Sequence, residues 1–118
     1  MAEQVAFDLN GVRMATAESD SDGVVSAETI MLFEQAGNLV SARYRGGDIL
    51  DGYLIGQLAG RSLHFRYVQA DGNGNLDAGV SDGTLDRLAD GRLRLFERFQ
   101  WITRPGGGTN IFEELPRT

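Results

Sequence analysis

Turn signals punctuate this chain from end to end, and nothing else in it constrains the fold as strongly. They are Asn10-Gly11, Ser21-Asp22-Gly23, Ala36-Gly37-Asn38, Gly46-Gly47-Asp48, Ala59-Gly60-Arg61, Asp71-Gly72-Asn73-Gly74-Asn75, Asp90-Gly91-Arg92 and Pro105-Gly106-Gly107-Gly108. Short runs of strand character lie between them, near 5–9, 12–18, 29–35, 39–45, 49–58, 62–70, 77–87, 92–102 and 109–115. The first two could be one interrupted strand. Only 26–36 has a competing helical reading, and strand is preferred there because Gly37-Asn38 then closes a hairpin with 39–45. Consecutive strands with short loops make an antiparallel meander. A meander of about eight strands removes its exposed edges by closing on itself. The expected fold is therefore all-β: a single antiparallel meander β-barrel, lipocalin- or calycin-like, with residues 1–118 as one domain. A two-sheet sandwich needs longer crossovers than these loops allow.

Composition agrees. With 118 residues the chain suffices for one domain with a real core. Sixteen glycines against two prolines suit the turns and bulges of an all-β protein. Net charge is -6, which argues against nucleic-acid or anionic-membrane partners. Residues 1–59 hold nine acids and three arginines, whereas residues 60–118 hold eight of each. Lys and Cys are both absent. Lysine Schiff bases, thiolate nucleophiles and Cys-ligated metal sites are thereby excluded. Met1-Ala2-Glu3-Gln4 has no basic region and no apolar run behind it, so the expected location is cytoplasmic.

The richest run for chemistry is Leu93–Trp101. Its alternation puts Leu93, Leu95, Phe99 and Trp101 on one face with Glu97 among them, and Arg94, Phe96, Arg98 and Gln100 on the other. A carboxylate in an apolar row is paired, protonated or at work. It can move a proton or anchor a polar ligand group. It can also be a structural ion pair, with Arg43 or Arg66 as candidate partner. Glu97 is the candidate catalytic residue. Arg43, Tyr44, Tyr53, Arg66 and Trp101 are the candidate binding residues, Tyr53 and Trp101 as cavity walls. Aromatic residues at strand spacing also simply fill cores. An eight-stranded barrel is either filled by side chains or holds one small ligand.

Other motifs say less. Asp71-Gly72-Asn73-Gly74-Asn75-Leu76-Asp77 has calcium-like oxygen spacing, but Leu76 stands where the loop needs Gly, so a β-turn is the better reading. His64 is the only histidine and cannot build a His-rich metal site, and no nucleophile elbow accompanies it. Gly106-Gly107-Gly108 lacks the Lys of a phosphate loop. No motif calls for a cofactor or a metal.

Val25-Ser26-Ala27-Glu28-Thr29, Tyr44-Arg45-Gly46-Gly47, Gly52-Tyr53-Leu54-Ile55-Gly56, Phe65-Arg66-Tyr67 and Leu93–Trp101, with Gly108 and Glu113-Glu114 behind them, follow an order that resembles a family of small bacterial proteins of about this length. Many of its members are labelled N-acetylglutamate synthase. Gln69 stands where that family pattern tends to have His. Acetyl-CoA-dependent acyl transfer normally holds a pyrophosphate on a helix N-terminus or phosphate loop, and this chain offers neither motif. The resemblance implies a small barrel, lipocalin-like in outline. Three functions follow: a small-molecule-binding barrel; a cofactor-independent cyclase, isomerase or lyase with Glu97 as acid or base; and a filled barrel that self-associates, with outward Phe96 as a candidate contact.

Overall fold

A computed structural model describes residues 7–116. Among them are eight strands: β1 (Arg13–Ser19), β2 (Ile30–Ala36), β3 (Leu39–Gly46), β4 (Ile49–Ala59), β5 (Ser62–Asp71), β6 (Leu76–Arg87), β7 (Leu93–Trp101) and β8 (Gly107–Glu114). Each pairs antiparallel with the next, and β8 closes on β1, so the sheet is a closed meander barrel. This is the expected fold. Turn glycines account for much of it. Gly37 and Gly60 sit in the left-handed region in two of the two-residue hairpin loops, where a side chain would be strained. The 26–36 segment is strand from Ile30 onward, and residues 7–9 form no strand. Residues 5 and 6 of the first expected run lie outside the described residues.

The core is the barrel interior. Alternate residues of every strand point inward, which buries Met14, Phe33, Val40, Leu54, Leu63, Phe65, Leu85, Leu95 and Phe112 almost completely. Phe7, Leu9 and Val12, just before β1, are buried in the same cluster. Backbone bonds from Gly11 N–H to Phe33 O and from Phe33 N–H to Val12 O tie this segment to β2. They place it at the end of the barrel where β1 begins, and it plugs that end.

The opposite end is built differently. Pairing of β1 with β2 covers only residues 13–15 of β1, whereas β1 follows β8 out to Ser19. The two strands therefore part before the rim, and the 20–29 loop spans the gap. Backbone bonds from Gly23 N–H to Asp20 O and from Thr29 N–H to Ser26 O shape that loop.

Candidate functional site

Beneath the 20–29 loop lies a partly open free space of about 20 Å³, lined by residues 23–25 of the loop and by Tyr44, Gln69, Tyr67, Glu97, Phe99 and Trp101, among others. That is room for one water molecule or a group of its size. Strand alternation delivers these side chains. Tyr44 comes from β3, Tyr67 and Gln69 from β5, and Glu97, Phe99 and Trp101 from β7. Two inward glycines make room for the tyrosines. A Cβ on Gly52 would overlap the Tyr44 ring, and one on Gly79 would overlap the Tyr67 hydroxyl. Tyr67 packs edge-on against Trp101, and so does Phe99, each at 5.7 Å between ring centroids.

Glu97 is 6 % exposed and central to this wall. Its partners are neutral. Ser81 Oγ donates to Oε2 at 2.6 Å, and Asn110 Nδ2 donates to Oε1 at 2.9 Å. Among the described residues no arginine pairs with it, so the structural ion pair with Arg43 or Arg66 does not form. Burial pushes the Glu97 carboxyl above the ordinary carboxylate range, and the bonds from Asn110 and Ser81 pull it partway back. The Tyr44 hydroxyl donates to Gln69 Oε1 at 2.9 Å. The phenols of Tyr44 and Tyr67 are both pushed up, first by burial and then by nearby Glu97, so both stay protonated. The Tyr67 hydroxyl is buried and has no hydrogen-bond partner among the described residues. The site thus holds a buried carboxyl, two phenols and an amide behind aromatic walls. It can donate to, accept from or exchange a proton with a small polar group.

The loop is tied to the same residues. Trp101 Nε1 donates to Asp22 O at 3.0 Å, and the Asp20 N–H donates to Asn110 Oδ1 at 3.3 Å. Asn110 therefore joins the loop to Glu97.

Three expected binding residues lie elsewhere. Arg43, Tyr53 and Arg66 point to the outer face. The reason is parity. Arg43 adjoins Tyr44 and Arg66 adjoins Tyr67, and neighbours on a strand face opposite ways. Arg43 pairs with Asp51 at 2.8 Å outside the barrel. Tyr53 sits beside Val68, both half-exposed. Tyr44, Glu97 and Trp101 do come together inside. Sequence reading passed over Ser81 and Asn110, and it named Gln69 only for its departure from a family pattern. Ser81 and Asn110 sit on the strands flanking Glu97, and inward polar residues there were a usable signal once Glu97 was suspected.

The remaining motifs are accounted for locally. The Asp71 carboxylate accepts from the Asn73 and Asn75 N–H groups and from Asn75 Nδ2, so it caps its own turn. Asp77 accepts from Thr103 Oγ1 and faces Arg104. His64 lies on the outer face, 2.7 Å from Asp82.

A family model described as avidin-like protein matches residues 7–115. No curated protein and no solved structure matches.

Proposed function

This chain belongs to the avidin-like family, and from that premise we propose that it is a small-molecule-binding barrel whose ligand seats beneath the 20–29 loop. The observation that carries this reading is the polar cluster of Glu97, Ser81, Asn110, Tyr44, Gln69 and Tyr67 inside the barrel. A barrel selected only to be filled has no use for it, because each buried polar group costs free energy unless it is bonded. The Tyr67 hydroxyl has no partner among the described residues. The avidin-like family binds small ligands, which supports the same reading. The parting of β1 from β2 supplies a way in. Arg43, Glu34, His64, Arg66, Asp82 and Arg98 are exposed on the outer face. That face is unlike the apolar band of a lipid-embedded barrel.

The test is native mass spectrometry before and after mild organic extraction. A mass above that of the chain, lost on extraction, is the expected result. A chain free of any adduct, whose melting temperature responds to no compound of a small-molecule library, would leave only a filled barrel.

A second reading is cofactor-independent acid–base chemistry at Glu97, favoured by its raised pKa beside two neutral phenols. Glu97→Gln would then abolish turnover and leave binding largely intact. Self-association belongs to the same proposal. The adjacent outer side chains Tyr53, Ile55 and Val68 form an apolar strip suited to a second copy.

A further inference from the structure

We propose that the cavity takes a small organic cation, with a water-sized ammonium head against the Glu97 carboxylate and its carbon chain between the aromatic walls and the 20–29 loop. This rests on the ligand-binding reading above and names the class of ligand.

The interior offers several acceptors, with the Tyr67 hydroxyl and the Gln69 amide nitrogen beside them as donors. Each Glu97 oxygen receives one hydrogen bond and has capacity for another. The Tyr44 hydroxyl spends its proton on Gln69, so its oxygen is left to accept. The Tyr67 hydroxyl is buried, borders the cavity and is unpartnered. No positive charge inside the barrel balances Glu97, because the ion pairs among the described residues lie on the outer face or at the rims. The free space fits a group the size of water, and an ammonium is such a group. Around it stand the rings of Phe65, Tyr67, Phe99 and Trp101, whose faces attract cations.

The rim decides between a cation and a neutral ligand. The loops at the cavity end carry Asp20, Asp22, Glu28 and Asp48 against one arginine, Arg104. Arg104 is already engaged, facing Asp77 and stacked 4.2 Å over the Trp101 ring. Asp20 and Asp22 are held by the backbone N–H groups of Thr109 and Gly107, which leaves their charge unneutralised. The plugged end carries Arg61 and Arg92 against Asp8 and Asp90, with no excess of either sign. The field at the mouth therefore draws cations in and repels carboxylates.

Ethylammonium chloride tests this, with ethanol and sodium propionate as size-matched controls at constant ionic strength. The expected result is a saturable rise in melting temperature and a shift of the Trp101 indole N–H proton signal with ethylammonium alone. Trp101 is the only tryptophan, so the signal is unambiguous. In Glu97→Gln the affinity should fall by at least about tenfold. Equal responses to ethanol and ethylammonium, or an ethylammonium response unchanged in Glu97→Gln, would overturn the proposal. Should that variant not fold, the wild-type titration decides: shifts at His64 without any at Trp101 place the cation outside the barrel and refute it. A neutral adduct in the mass spectrum with no ethylammonium response refutes the cation and leaves the binding barrel standing. No adduct and no response to any compound removes both.

Discussion

A carboxyl group held among aromatic rings, with two neutral donors and no cation, is a group the fold keeps at a cost. For Glu97 the cost has a sign. Its pKa is raised in the folded chain above the ordinary value of 4.5. The folded state therefore binds the proton more tightly than the unfolded state. Its contribution is favourable at low pH and is lost as pH rises from the unfolded value through the raised folded value. Asp51, Asp71 and Asp90 run the other way, since their partners hold them below the ordinary range. The difference between two proteins isolates Glu97. Glu97→Gln keeps an acceptor for Asn110 and places an amide donor beside the Ser81 oxygen. It should equal or exceed the wild type in melting temperature at pH 7 to 8, with the gap closing toward pH 4. A melting series across that range checks it, and a variant less stable by the same amount at every pH would show that protonation of Glu97 does not govern its contribution.

At the scale of the strand, inward glycines matter as much as inward aromatics. Gly52 and Gly56 lie in the middle of β4 and face the interior, as Gly79 and Gly83 do on β6. Gly52 leaves the space that Tyr44 fills. Gly52→Ala should cost about 1–3 kcal/mol by overpacking. A cycle with Tyr44→Leu should show a sub-additive loss, measured by chemical denaturation. The 20–29 loop is the other element with a job. Trp101→Phe removes the bond from the indole to Asp22 O. The expected loss is about 1 kcal/mol. Amide exchange at Gly23 should quicken more than exchange in β4 or β5. Equal acceleration everywhere would mean that the indole supports the barrel as a whole and not the loop.

For the whole molecule, closure fixes what is inside, what is outside and which end is open. Chain segment 7–12 plugs one end, and a loop held by side-chain bonds covers the other. The acidic excess of residues 1–59 acquires a location only through this closure, since the 20–29 loop and the short turn after β3 both fall at the cavity end. Outside, the Tyr53, Ile55 and Val68 strip gives a prediction at the same scale. Tyr53→Arg should shift the protein toward monomer in sedimentation velocity without lowering its melting temperature, because a half-exposed outer side chain contributes little to the core. A wild type that is monomeric at every concentration would remove the interface.

The sequence alone leads to the barrel. Turn residues at short intervals, strands of alternating pattern and the need to hide edges leave few other solutions, and these signals are local. It also determined that Glu97 faces the same way as Leu95, Phe99 and Trp101, because parity along one strand needs no other strand. It did not determine which residues meet Glu97. Chemistry alone suggests Arg43 and Arg66 as its partners and Tyr53 as a wall, but strand parity puts all three outside. Ser81 and Asn110 replaced them because register between strands is set by the closed sheet as a whole. Whether the interior is open, how large it is and what covers it depend on how residues distant in the chain share one volume. Those properties exist only once the sheet has closed.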